Sequence, residues 1–181
     1  MHTLAIYVED QPGVLNRVAS LFRRRGFNIH SLAVGHSELA GVSRVTVVVE
    51  TDDAGARRVQ AHLYKLINVV KIENITTKPV VARELALIKV AASHETRPSV
   101  VQLVQLFAAR IVDVAPESVV LEVCASEARI DRLLDVLRPY GVLEMVRTGR
   151  IAIERGCRPD APLATMVVVA DEGEAGVSYS V

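Results

Sequence analysis

The pattern that most restricts the fold of this chain is a fixed order of strand and helix signals that occurs twice along its 181 residues. Strands are indicated by alternating apolar residues, such as Leu4, Ile6 and Val8, and helices by apolar residues three and four positions apart. In the first half the order is strand, helix, strand, strand, helix, strand. The predicted elements are 3–8, 13–25, 28–35, 42–50, 54–66 and 69–76.

The second half repeats that order after a break at 76–79 that ends in a proline. Its predicted elements are strand 83–92, helix 97–110, strands 111–115 and 118–124, a helix that contains Ile130 and Leu137, and a last strand over 143–153. A four-stranded antiparallel sheet with two helices on one face is the ferredoxin-like arrangement, so the predicted fold class is α+β with two βαββαβ units. The predicted domains are 1–77 and 83–156, followed by a flexible tail over 157–181.

The charge balance argues against two classes of partner. The chain has 21 Lys and Arg residues against 21 Asp and Glu, so no net field attracts nucleic acid or an anionic membrane. No apolar run approaches the roughly 18 residues of a membrane span, and Glu9 and Asp10 interrupt the N-terminus before a signal-peptide core can form. We therefore expect a cytoplasmic globular protein. Cys124 is expected to be a small buried residue.

A candidate binding site lies where the first predicted strand passes into the first predicted helix. Residues 9–15 read EDQPGVL, which is the end of a strand, a tight loop and the start of a helix. The backbone amides of Gly13, Val14 and Leu15 lie at that helix start. Free amides at a helix N-terminus, with the positive end of the helix dipole, suit a carboxylate.

Two oxygen acceptors extend this site toward an amino-acid ligand. Asp10 in the loop, and Asn28 at the start of the second predicted strand, can accept hydrogen bonds from an ammonium group. Together with the amides they describe a receptor for a free amino acid. Ile29, next to Asn28, is the remaining candidate for effector binding. Two other interpretations stay open, because Gly13 can serve only a Pro-Gly turn and Asn28 can bind its own backbone.

The third predicted strand, 42–50, is apolar on both faces, since Val48 alternates with Val45, Val47 and Val49. A sheet covered by helices on one side usually has polar residues on the other. We therefore expect that face to be buried by another copy of the chain, by the second domain or by a different subunit. Self-association is favoured, because symmetric homo-oligomers are the commonest solution.

Motifs of independent catalysis are missing from the sequence. None of the five histidines has a metal-binding spacing, and no nucleophile elbow, phosphate loop or dinucleotide fingerprint is present. We expect no catalytic residue, metal or cofactor in this chain. The three arginines at 23–25 fit a solvated helix end, where the dipole favours cations, better than a nucleic-acid site.

Several stretches of the chain resemble a known family. LAIYVEDQPGVLNRV at 4–18 and LFRRRGFNI at 21–29 are similar to the N-terminal ACT domain of the acetolactate synthase small subunits. Further similar pieces are RELALIKV at 83–90, IVDV at 111–114 and TGR at 148–150. A generic ACT domain would account for the first half alone, whereas this resemblance extends to about residue 156.

The resemblance implies a non-catalytic regulatory subunit in which a second ACT-like domain follows the first. Members of the family bind a large catalytic subunit that contains thiamine diphosphate, Mg²⁺ and usually FAD, raise its activity, and make it sensitive to a branched-chain amino acid, most often valine. Gly13 matches the loop glycine that approaches the effector, and Asn28 matches an asparagine across the interface of a homodimer. Asp10 stands where many members have asparagine, so the preference for valine over leucine or isoleucine stays open.

Two other function classes remain. A free-standing ACT regulator of another enzyme or of transcription would bind an amino acid without the synthase, but a transcription regulator needs a DNA-reading element, and none is visible. A small enzyme on the same fold needs titratable residues clustered in a cleft. The fold by itself does not decide among these classes, because ferredoxin-like units have many functions.

Overall fold

The computed structural model describes residues 1–156, so the predicted tail 157–181 lies outside the described residues. Within them, strands and helices follow the predicted order. The elements are β1 His2–Glu9, α1 Val14–Arg24, β2 Ile29–His36, β3 Val42–Val49, α2 Asp53–Leu63, β4 Val69–Asn74, β5 Val80–Ala91, α3 Arg97–Leu106, β6 Arg110–Ala115, β7 Ser118–Ala125, α4 Glu127–Leu137, β8 Val142–Arg147 and β9 Ile151–Glu154.

Two antiparallel sheets confirm the predicted pair of βαββαβ units. The first sheet has the strand order β2-β3-β1-β4 and the second has the order β6-β7-β5-β8. In each unit the two helices pack on one face of the sheet and enclose an apolar core, because the inward residues alternate along the strands and recur every three or four positions on the helices. Phe22, at 1 % exposure, is the largest side chain in the first core.

The other face of the first sheet is also buried, and the second unit covers it. Thr46 and Val48 on this face of β3 are 4 % and 1 % exposed. The cover is a two-stranded ribbon in which the first four residues of β5 pair with β9. The cluster between ribbon and sheet comprises Ala5, Ile75 and Ala152, with Val80 and Ala82 beside it. Of the three occupants expected for the apolar face of strand 42–50, the second domain is the one found, so this strand gives no argument for a homodimer.

The predicted last strand, 143–153, is wrong in one respect, because it is two strands separated by a sharp turn. β8 pairs with the second half of β5, and β9 pairs with the first half. Gly149 lies between them with φ +83°, and a Cβ there would stand 2.9 Å from Ser31 Oγ and 3.1 Å from the Leu32 carbonyl oxygen. Only glycine allows the chain to turn and approach β2 this closely.

Cys124 is exposed, contrary to the sequence-based expectation. Along β7 the residues Val119, Leu121 and Val123 point into the second core, so Cys124 points to the opposite face. Within residues 1–156, that face of the second sheet has no cover equivalent to the ribbon, and Leu87 on it is 39 % exposed. No helix within residues 1–156 combines the length and the apolar character needed to cross a membrane.

Candidate functional site

The loop between β1 and α1 leaves amide donors free at the start of the helix. Gly13 is the N-cap residue, has φ +83°, and contributes no side-chain cap. The Val14 N–H donates to the Gln11 carbonyl at 3.3 Å, whereas the Leu15 N–H has no acceptor among the described residues. The first turn contains no acidic residue, so the partial positive charge of the helix end is not neutralised locally. These features favour binding of an anionic group.

Asp10 lies beside this helix end with its carboxylate accessible. Its backbone N–H donates to the Gly41 carbonyl at 2.8 Å, which holds the loop against the turn between β2 and β3. Its Oδ2 is 3.3 Å from His36 Nδ1, and both side chains are largely exposed. The carboxylate is therefore positioned at the rim of the loop, where it can accept from a ligand's ammonium group.

A chain of polar side chains braces the same loop, and sequence reasoning missed it. The Asn68 side-chain amide donates to Glu9 Oε2 at 2.6 Å, and its oxygen accepts from Arg17 Nη1. Asn68 is only 6 % exposed. No sequence spacing signals this contact, because Asn68 is 51 residues from Arg17 and 59 residues from Glu9, and it reaches them through the pairing of β1 with β4.

Two of the predicted site residues belong to the core rather than to the loop surface. Val14 is 4 % exposed, so only its backbone can face a ligand. Ile29 packs against the first core from the opposite end of the unit. Leu15 is 42 % exposed and stays available at the helix start.

Asn28 is separated from the loop in a single chain. Ile29 pairs with Val49, while Glu9 at the other end pairs with Val42, so the two rows are seven residue steps apart along β3. At about 3.3 Å per residue the separation is roughly 23 Å. The expectation that Asp10 and Asn28 stand together is therefore wrong within one chain, because α1 carries the backbone from one end of the unit to the other. The Asn28 side chain is exposed and has no hydrogen-bond partner within residues 1–156.

The seam between the two units is a second polar site, and it contacts β2. The Arg150 backbone N–H donates to Ser31 Oγ at 2.7 Å, and its guanidinium contacts Thr3 Oγ1 and the Glu127 carboxylate. His30 Nε2 is 3.2 Å from Glu127 Oε1. Arg150 and Glu127 thus join the edge of the first sheet to the start of α4.

Glu84 lies in this seam and is nearly buried, at 6 % exposure. Burial, reinforced by the negative charge of Glu127, raises the pKa of Glu84 above its ordinary value of 4.5, although Arg147 opposes the shift. Arg147 Nη1 stands 3.7 Å from the carboxylate, beyond hydrogen-bond distance. The ionised form of Glu84 therefore weakens the folded state.

We expect Glu84→Gln to raise the melting temperature at neutral pH, since the amide removes a buried charge at nearly constant shape. Because the folded-state pKa is raised, the cost of ionisation is present at neutral pH and disappears as the pH falls below 4.5. The gain should therefore shrink to nothing in acid. Thermal unfolding of wild type and variant across this range measures it. Glu95→Gln, at an exposed position, is the control and should show no gain at either pH.

No group of three or more His, Cys, Asp or Glu side chains within residues 1–156 is arranged to hold a metal ion. The candidate site combines amide donors, one carboxylate and an incomplete set of acceptors, which suits binding of a small zwitterion.

Comparison with known proteins identifies the family. Residues 83–156 match the family model described as the small subunit of acetolactate synthase, and residues 4–71 match the model of the AHAS small subunit-like ACT domain. An acetolactate synthase small subunit from Mycolicibacterium smegmatis is 48 % identical over 157 residues, which is 87 % of this chain and 92 % of the relative. The chain belongs to the acetolactate synthase small-subunit family.

Two further comparisons extend this result. A probable acetolactate synthase small subunit from Archaeoglobus fulgidus is 49 % identical over 155 residues, covering 86 % of this chain and 97 % of the relative. The crystal structure of the acetolactate synthase small subunit from Thermotoga maritima superposes with a TM-score of 0.81 at 36 % identity, over 87 % of this chain and 98 % of that one. The small-subunit similarity thus spans both units, and the loop at Gly13 lies in the part that matches the ACT-domain model.

Proposed function

We propose that this chain activates the large catalytic subunit of acetolactate synthase and makes it subject to feedback inhibition by a branched-chain amino acid, with valine as the first candidate and leucine and isoleucine as the others. The observation that carries this proposal is the similarity to acetolactate synthase small subunits along both units. The reaction and its thiamine diphosphate, Mg²⁺ and FAD then belong to the large subunit, and the chain acts in cytoplasmic branched-chain amino acid biosynthesis.

The effector site of this proposal is shared between two copies of the chain. β2 is an edge strand of the first sheet, so it can pair with β2 of a second copy. An antiparallel pair related by a two-fold axis places the Ile29 end of one β2 beside the His36 end of the other. Asn28 of the second copy then approaches the loop that contains Asp10 and Gly13. This arrangement supplies the acceptor that a single chain holds roughly 23 Å away.

The chemistry of the shared site follows from its groups. The Leu15 amide and the dipole of α1 bind the effector's carboxylate, and Asp10 with Asn28 of the second copy accepts hydrogen bonds from its ammonium group. The apolar side chain of the effector contacts the interface between the copies. An amino acid with a short branched side chain is the class of ligand that these groups fit.

The seam gives a route from that site to the second unit. β2 would contact the effector interface through its edge, and it also contacts Arg150 through Ser31 and Glu127 through His30. A change in the pairing of two β2 strands therefore acts on contacts to α4. Coupling of this kind is typically about 1 to 3 kcal/mol, which is a several-fold to hundred-fold change in affinity.

The test is an assay of acetolactate formation by the large subunit, with and without this chain and with and without valine. The wild-type chain should raise the rate, and valine should lower it again. Asn28→Ala removes one acceptor from the effector site and leaves the core intact. We expect this variant to activate the synthase as the wild type does while its inhibition by valine weakens by about tenfold or more, the value of a hydrogen bond to a charged group.

Gln102→Ala, which removes an exposed amide from α3, is the matched control and should leave both properties unchanged. If the wild-type chain does not alter the rate of the large subunit, the proposed function is wrong. If Asn28→Ala loses activation and inhibition together at unchanged stability, the two functions share one surface, and the expectation that activation is separable from inhibition is wrong.

A further inference from the structure

The helix layer of the first unit has a concentration of positive charge that the effector site does not use. The segments 14–28 and 54–68 contain no Asp or Glu, although the chain as a whole is neutral. Asp52 and Asp53, just before the second segment, are engaged with the Gly55 amide and with His2. The exposed cations of the two segments are Arg17, Arg23, Arg24, Arg25, Arg57, Arg58 and Lys65.

A groove of about 370 Å³ runs between α1 and α2 on this layer. Arg17, Arg24 and Arg25 line one side, Lys65 lines the other, and Leu21 is among its apolar lining residues. Arg17 is bound to Asn68, but Arg24, Arg25 and Lys65 form no ion pair with any carboxylate of residues 1–156. Among the described residues, the groove is therefore positive and uncompensated.

His62 also lines the groove, and the positive charges near it act on its pKa. Desolvation and then the positive charges of Arg25, Lys65 and Arg58 lower the pKa of His62 below its ordinary value of 6.5. Its Nδ1 atom is buried and has no hydrogen-bond partner in the described part of the chain. The residues around the histidine thus supply positive charge and no acceptor for its ring nitrogen.

The cations are spread along the groove instead of converging on one point. Arg17 and Arg24 are seven residues apart on α1, which is two turns of helix or about 10 Å. A single phosphate can contact only one end of such a row, whereas an acidic protein segment carries several charges over that length. Two other surfaces of this unit have assigned partners, since the ribbon covers the outer sheet face and the proposed second copy takes the β2 edge.

We propose that the groove between α1 and α2 is a docking surface for an acidic segment of the synthase catalytic subunit. The inference rests on the proposed function, because it takes the large subunit as the partner. Complementary charge across such a surface speeds association and fixes the orientation of the partners, and its contribution falls as salt screens it.

The experiment compares two double charge reversals in the full chain. Arg24→Glu with Lys65→Glu reverses the groove, and Arg129→Glu with Arg132→Glu reverses the same amount of charge on α4 of the second unit. Binding of the purified large subunit is measured at low salt and at about 1 M salt. At low salt we expect the groove variant to bind the large subunit at least about tenfold more weakly than wild type, and at high salt to approach wild type. The α4 variant should stay within about twofold of the wild-type affinity at both salt concentrations.

The outcomes separate the inference from the function on which it rests. A groove variant that binds as tightly as wild type at low salt overturns the inference, and so does an equal loss in both variants. A wild-type chain that does not bind the large subunit overturns the proposed function instead. A groove variant that binds normally but loses an affinity for tripolyphosphate that wild type shows would assign the groove to a small polyanion and would also overturn the inference. Thermal unfolding checks that both variants are folded.

Discussion

Gly13→Asp is expected to abolish the stabilisation that valine gives to the wild-type chain. At 100 times its dissociation constant, a ligand stabilises the native state by about 2.7 kcal/mol, which is readily visible in thermal unfolding. The variant places a carboxylate at the N-terminus of α1, where the effector's own carboxylate is proposed to bind. No described atom outside the immediate chain neighbours lies within 4 Å of a Cβ built at Gly13, so the new side chain occupies the ligand's space without displacing the protein.

The control for this variant must share its backbone strain. Gly13 has φ +83°, a conformation that costs an L-residue about 1 to 2 kcal/mol. Gly156, at the end of the second unit, has φ +85°, and a Cβ built there also meets no described atom within 4 Å. Gly156→Asp should therefore introduce a comparable backbone strain and keep the full response to valine. The idea fails if valine, leucine and isoleucine at millimolar concentration leave the wild-type melting curve unmoved, or if Gly13→Asp responds like wild type.

The second expected result is that two variants with impaired effector sites regain sites of wild-type affinity when they are mixed. Gly13→Asp damages the loop, and Asn28→Ala damages the acceptor that we propose lies across the interface. In a mixed dimer one site contains both defects and the other contains none. Co-refolding equal amounts should restore about a quarter of the wild-type valine sites, because random pairing makes half of the dimers mixed and each of these has one intact site of two. Titration calorimetry counts the sites.

This experiment distinguishes a shared site from one built within a single chain. If Gly13 and Asn28 of the same chain formed the site, every chain in the mixture would contain a defect and no site of wild-type affinity would return. The roughly 23 Å between the two ends of the first sheet makes that outcome physically implausible. If the mixture fails to regain valine sites although each variant is folded and is a dimer by light scattering, that result would show that Asn28 has no part in the site.

The pattern of the sequence was sufficient for the two units and for the loop. Leu4, Ile6 and Val8 occupy alternate positions because one face of β1 packs against the helices. This alternation is visible within a few residues of sequence. Gly13 stands at the helix start in the structure as predicted, with the backbone conformation that glycine tolerates best. Such features depend on local geometry, so they can be read before the fold is known.

Only the tertiary structure showed which face of the sheet Cys124 lies on and that the predicted last strand is two strands. A run such as VVLEVCA predicts a strand, but which of its faces is open depends on whether another layer covers the sheet. In the described part of the chain, the first sheet has a covering ribbon on its outer face and the second has none, although both contain apolar residues on that side. That position 149 leaves no room for a side chain is clear only from the structure, in which Ser31 lies against it.

By itself, the sequence determined the fold class, the repeat of the unit, the position of the amide-donating loop and the resemblance to the small-subunit family. The tertiary structure decided which residues meet across long separations. It put Asn28 and Asp10 at opposite ends of one sheet, joined Arg150 to Thr3 and Glu127, and aligned the cations of α1 and α2 along one groove. The physical reason is that periodicity specifies which side of an element faces inward, whereas the meeting of distant residues depends on strand order and register, which arise only when the whole core assembles.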